Sequence, residues 1–225
     1  MATAKTAGKQ RSGSAKRPER RAVSQHARAA VQARGEATHR TILERAGVLA
    51  RVTGLKALTI GGLAEATGLS KSGLFAHFGS KENLQVAVIE AERQEFLETV
   101  VLPAFREPRG EPRVRSMFEA FLLWAQREGG CFFMMASAEL DDDDPSPARD
   151  ALQQAQRDWI EMMATAARIC IEEGHFRADL DPRQFAFQMK CLMLGYHHYL
   201  RLLNDRDTTS LTRQAFEAML SAARP

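Results

Sequence analysis

Cysteine is scarce in this chain, with three among 225 residues: Cys131, Cys170 and Cys191. An odd number, widely spaced and set in apolar runs, excludes a disulfide framework and fits a reducing compartment. A redox-sensing thiol needs exposure and a lowered pKa. Cys170 in ARICIEEG and Cys191 in MKCLMLG read instead as small buried hydrophobes. Cys131, following Gly129 and Gly130, is open to either reading. Long apolar runs are missing as well. None approaches the ~18 residues of a membrane span, and the first residues lack the apolar core of a secretory signal. The expectation is a cytoplasmic protein with no membrane partner. No stretch alternates polar and apolar residues as a half-buried strand does, so an all-α fold is expected. His197 and His198 are adjacent, point about 100° apart on a helix, and lie far in sequence from His175. No metal site is expected from them. Ser70 and His77 have no acid spaced to orient a base, and no nucleophile elbow is present. An enzyme reading has little to stand on, and no cofactor is implied.

What is present is unevenly distributed. The formal net charge of +3 conceals 14 Lys and Arg against 4 Asp and Glu in residues 1–80, and 17 against 24 in residues 81–225. A basic part joined to an acidic one is the footprint of a nucleic-acid reader attached to something else. Within residues 1–35, nine cations from Lys5 to Arg34 face Glu19 alone. Few large apolar groups are there to offset the entropy of ordering, so this arm is expected to be disordered at its tip. From about Ser24 the abundance of alanine allows helix. The arm either strengthens DNA binding through phosphates or the minor groove or only solubilises the chain.

The most informative stretch is TIGGLAEATGLSKSGLFAHFGSK, residues 59–81. Ile60, Leu63 and Ala64 share one helical face. Gly68 supplies the left-handed residue that stops that helix. Leu69 is expected to plug the turn and Ser70 to cap the next helix. Leu74 and Phe78 then face back toward Leu63. A small residue, a glycine four later and an aliphatic six after that is the packing pattern of a helix-turn-helix. Lys71, Ser72, Gly73, Phe75 and His77 remain on the outer face, with donors near a helix N-terminus that suit phosphates and base edges. Ser80 can cap a further helix. Lys81 stands in its first turn, where a cation opposes the helix dipole, a placement that a nearby phosphate would explain.

LSKSGLFAHFGSKENL resembles the DNA-binding signature of the TetR/AcrR family of bacterial transcriptional regulators, usually L-S-x-x-x-L-Y-x-H-F-x-x-K-x-x-L. The matching residues are Leu69, Ser70, Leu74, His77, Phe78, Lys81 and Leu84. Phe75 departs from it, standing where the family commonly has a tyrosine whose hydroxyl touches a phosphate. THRTILERAGVLARVTGLKALTI also resembles the family's first helix, so the likeness covers roughly residues 38–90. It implies that Thr59, Ser70, Lys71, Ser72, Gly73, Phe75, His77 and Lys81 meet double-stranded DNA.

The remaining chain reads as helices. Helix one is expected from about Glu36 to Val52, with a core stripe of Ile42, Ala46, Leu49 and Ala50. A long helix from Lys81 carries Leu84, Val88, Ala91, Glu95 and Leu97 and should end at Pro103. Later helices are expected at about 113–127, 131–140, 148–173, 182–203 and 210–222, punctuated by proline and glycine, with Asp181-Pro182 as cap and first residue. Asp141 to Asp144 read as a solvated loop. Methionine and aromatics crowd these helices. Such a stripe is either plain core or the wall of a cavity for a small apolar or aromatic ligand. The candidates for lining it are Phe96, Phe121, Trp124, Phe133, Met134, Trp159 and Met163. Leu192, Gly195, Tyr196 and Tyr199, with Phe216, Met219 and Leu220, are the candidates for a dimer surface, because the family pairs its last two long helices as a four-helix bundle.

The expectation is therefore an all-α protein in three parts: the arm of residues 1–35, a three-helix DNA-binding head at 36–82, and a helical body for ligand binding and dimerisation at 83–225. It would act as a homodimeric regulator at a near-palindromic operator in the nucleoid, with its two heads roughly 34–36 Å apart. A repressor released by ligand is the reading preferred here. An activator would use the same head. The alternative is a redox- or metal-sensing regulator.

Overall fold

A computed structural model describes Met1 and residues 17–141 and 145–225, with side chains outside the description for residues 17–32 and 34. The expected disorder at the tip of the basic arm and the acidic run at 142–144 fall outside the described residues. Two compact units divide at Thr41 and Ile42. The first contains the early part of α1 (Arg17–Thr53). That helix begins well before the expected Glu36, over a stretch rich in alanine, the strongest helix former. It ends one residue from the expected Val52.

Ile42–Pro225 form the second unit. The end of α1 is followed by α2 (Ile60–Thr67), α3 (Lys71–Phe78) and α4 (Lys81–Phe96). Ile42, Ala46 and Ala50 from α1 bury against a shared core that includes Leu55, Leu58, Leu63, Leu74 and Phe78. Next come α5 (Glu111–Ala125), α6 (Phe132–Leu140), α7 (Pro147–Glu172), α8 (Pro182–His198) and α9 (Thr208–Ala223). All lie within two residues of the expected starts. Asp181 caps α8 as its sequence position suggests, accepting from the Arg183 N–H at 2.8 Å. α4 packs on α7, α7 on α8 and α8 on α9. Among the described residues there is no strand.

Pro103 does not end α4. The helix widens first into a π turn at Leu97–Val101 and then tightens into a 3-10 turn at Leu102–Arg106, which takes the proline in its first turn. There the missing N–H leaves no helical bond unmade. The buried stripe of α4 also differs from the expected one: Glu95 is exposed and Glu92 is buried.

Glu92 pairs with Arg51 of α1, and both side chains are almost fully buried. The Arg51 Nε also donates to the Glu128 carbonyl at 3.1 Å. Gly47 makes room for this contact, since a Cβ there would strike the Glu92 carboxylate. Burial pushes the Glu92 carboxyl up, and the Arg51 and Arg127 cations pull it back. Burial likewise pushes the Arg51 guanidinium down against the pull of Glu92. Desolvation of both ions makes such a pair a weak source of net stability but a costly one to break. Arg51→Met alone should therefore cost about 3–5 kcal/mol in denaturant unfolding, while Arg51→Met with Glu92→Leu should recover most of it. A double variant as unstable as the single one would show that the charges are not what matters there.

Candidate DNA interface and ligand cavity

The α2–α3 turn is built from local hydrogen bonds. The Thr59 hydroxyl accepts from the Gly62 N–H at 3.0 Å. Gly68 takes the left-handed conformation at φ 70° and closes α2 by donating to the Ala64 carbonyl. Ser70 caps α3, its hydroxyl accepting from the Gly73 N–H at 3.1 Å, and Ser80 caps α4 through the Asn83 N–H at 3.0 Å. Leu69 does not plug the turn. It is 40% exposed, while Leu74 and Phe78 are the buried residues of α3.

All eight expected DNA contacts are exposed: Thr59, Ser70, Lys71, Ser72, Gly73, Phe75, His77 and Lys81. Phe75 is 58% exposed and available as an apolar edge at the family's tyrosine position. The Lys71 ammonium lies over α2, where a Cβ on Gly61 would be 3.7 Å from it. Lys81 has a partner inside the chain. Its Nζ donates to the Lys56 carbonyl at 2.6 Å, so no phosphate is needed to account for its place in the first turn of α4. The Leu55 and Lys56 N–H groups donate to the two carboxylate oxygens of Glu139 on α6, at 3.0 and 2.7 Å. The segment before α2 is thus tied to α4 on one side and to α6 on the other.

A cavity of about 480 Å³ opens beside the far end of α4. Its apolar walls include Leu97, Val101, Phe105, Met117, Met162 and Ile169, with Arg93, Arg113, Asp158 and Glu161 as charged groups. A much smaller space of about 30 Å³ adjoins it, and four of the expected ligand residues line this one: Phe96, Phe121, Phe133 and Trp159. Phe96 stands edge-on to Trp124, Phe133 and Trp159 at 5.2, 5.8 and 4.8 Å between ring centres. Trp124, Met134 and Met163 line neither space and belong to the core. The π turn and Lys190 were missed in sequence. The first has no composition signal, but a lone cation in FAFQMKCLMLG was a visible one for Lys190.

Cys131 and Cys170 are buried, and burial pushes both thiols up, Cys170 to about 12. Raised thiols are poor redox sensors. Cys191, expected to be buried, is exposed, because it lies on the outward side of α8. No group of three or more His, Cys, Asp and Glu able to hold a metal ion occurs among the described residues.

The expected dimer residues divide. Gly195 and Tyr199 are exposed, and Leu192 and Met219 are half-buried against the core. Tyr196, Phe216 and Leu220 are buried within the protomer itself, which corrects their expected place at a mate. The Tyr196 hydroxyl accepts from Gln126 Nε2 at 2.9 Å, and Phe216 stacks on Phe118 at 3.7 Å between ring centres. The outward stripe of α8 runs instead through Phe187, Cys191, Leu194 and His198 toward Leu202, which is 71% exposed. On α9 it runs through Leu211, Ala215, Ala218 and Ala222.

Residues 42–88 match the family profile described as bacterial regulatory proteins, tetR family. Residues 110–216 match one described as tetracyclin repressor-like, C-terminal domain. The chain belongs to the TetR family of transcriptional regulators. Nucleoid occlusion factor SlmA from Marinobacter nauticus is 28% identical over 131 residues, 57% of this chain and 64% of that protein. This TetR-family chain thus spans about two thirds of the length of the curated relative it matches. Among solved structures, a TetR transcriptional regulator from Chloroflexus aurantiacus has a TM-score of 0.73 at 24% identity, covering 84% of this chain and 94% of that one. AibR, solved with isovaleryl coenzyme A and operator DNA, has a TM-score of 0.64 at 21% identity, covering 83% and 98%. These likenesses are of fold. No helix among the described residues is long and apolar enough to cross a membrane.

Proposed function

We propose that this TetR-family regulator is a homodimeric repressor in the cytoplasm, with the head and body expected from sequence, released from its operator by a small molecule in the cavity beside α4. The observation that carries the reading is the course of α4. Its capped N-terminus follows α3 across a single turn, and its other end, with the π turn that continues it, supplies Arg93, Leu97 and Val101 to the cavity wall. A ligand that holds the cavity in one shape biases the position of the helix that carries α3. It shifts the equilibrium only if it binds the DNA-incompetent arrangement better.

In this reading α3 enters the major groove. Ser72, Gly73 and His77 approach base edges, while Thr59, Ser70, Lys71, Phe75 and Lys81 position the backbone. Burial of Cys131 and Cys170 favours ligand sensing over redox sensing at those two thiols. Binding should be measured to labelled duplex from upstream of the protein's own gene against scrambled duplex at physiological salt. A preference of about a thousandfold or more is expected. Lys71→Ala should weaken both equally and lower the salt slope by about one. Equal binding to the two duplexes would oppose autoregulation through this operator, and an unchanged slope would remove Lys71 from the phosphates.

The paired surface is the outward stripe of α8 and α9, since TetR-type heads read two half-sites and this stripe is apolar and unpartnered within the protomer. Leu202→Glu should give a monomer in light scattering. Phe216→Ala should keep the dimer while costing about 3–5 kcal/mol of stability. A stable Leu202→Glu dimer would place the interface elsewhere.

A further inference from the structure

Lys190 is a cation with no carboxylate partner among the described residues. It sits on α8 and lines the small space together with Phe96, Phe121, Phe133 and Trp159. Its Nζ donates to Gln156 Oε1 at 2.8 Å. That oxygen is aimed by the rest of its amide, since Gln156 Nε2 donates to the Ser137 hydroxyl at 3.1 Å and the Phe133 carbonyl at 3.3 Å. An ammonium carries three donors, and Gln156 takes one. Among the described residues no carboxylate forms an ion pair with it.

The charged groups around the larger cavity have partners, though not all are ion pairs; Arg113 donates to the Glu107 carbonyl at 3.0 Å and lies over the Phe105 ring. Arg93 bonds Glu90, Glu161 bonds Arg168, and Asp158 accepts from Gln154. Lys190, bonded to an amide oxygen, is half-buried in aromatic surroundings, and desolvation pushes its pKa down. A partly desolvated cation without an ion pair is costly to hold. A purely structural tie between α7 and α8 would need no charge at all.

We propose that the cavity takes an apolar or aromatic monocarboxylate, its hydrocarbon body in the 480 Å³ space and its carboxylate on Lys190. The two spaces share Arg93, Leu97, Asp158 and Met162 as walls, so a ligand body in one reaches the other past these side chains. The inner space is small, about 30 Å³. A planar carboxylate suits it better than a phosphate or a larger anionic head. The carboxylate supplies the missing charge and accepts the donors that Gln156 leaves. This proposal rests on the reading of the cavity as the effector site and names the chemical class of the effector.

Two matched pairs test it by isothermal titration calorimetry: 2-naphthoate against 2-naphthylmethanol, and decanoate against 1-decanol. The expected result is binding of at least one carboxylate at least tenfold tighter than its alcohol. Lys190→Met should bring that ratio below twofold. Gln156→Glu, which supplies an internal counter-ion and keeps the lysine, should do the same. Carboxylate and alcohol binding equally, with neither substitution changing the ratio, would overturn the role of Lys190 and leave the cavity reading standing. Absence of binding by all four compounds would overturn both. Lys190→Met should also melt no lower than the parent chain, because a desolvated cation is replaced by an apolar group of similar length.

Discussion

The buried contact between Arg51 and Glu92 is the constraint on which the arrangement of the second unit depends. It joins the last turn of α1 to the final third of α4, and Arg51 extends the joint to the Glu128 carbonyl beyond α5. Two ions removed from water tolerate little displacement, because separation leaves each uncompensated. The N-terminal half of α4 therefore stays registered to the helix that packs α2 and α3. The part of α4 beyond the joint is different. It passes into a π turn and a 3-10 turn, a local departure from regular helix of the kind found at functional sites, and it is there that α4 meets the cavity.

A second connection runs through Lys56. Its N–H is held by Glu139 of α6, its carbonyl by Lys81 of α4. α6 begins at Phe132, and its Phe133 borders the aromatic space around Lys190. The cavity region is thus joined to the helix-turn-helix by two separate helices, α4 and α6. Each reaches the segment that precedes α2 or the helix that follows α3. Rigid elements joined at few, directional contacts transmit a displacement better than a soft interface does.

Much of this was legible in the sequence. The helix-turn-helix was, because caps, a left-handed glycine and a small crossing residue are local requirements that Ala64, Gly68, Ser70 and Ser80 meet by their own chemistry. The body helices were legible through proline and glycine. What was not legible depends on partners distant in sequence. Periodicity on α8 and α9 identified two apolar faces but not which one was inside, so Tyr196, Phe216 and Leu220 were assigned outward when Gln126 and Phe118 hold the first two inward. Glu92 reads as a solvent residue until Arg51 is seen beside it. Leu69 reads as a plug, but Leu74 and Phe78 are the side chains that are buried there. The aromatic residues of the cavity region were foreseen by type. The larger space beside them is bounded by Leu97, Val101 and Met162, which composition alone does not distinguish from core.

The central claim is that occupancy of the cavity beside α4 lowers operator affinity. It can be tested without knowing the ligand, by placing a side chain where the ligand would lie. Ala166 on α7 is half-buried and faces that space. The measurement is the operator affinity of Ala166→Phe, with the ring located in the cavity by crystallography. The account predicts a loss within the roughly 5- to 150-fold range of typical coupling energies, with the dimer intact. A filled cavity with unchanged operator affinity would contradict it.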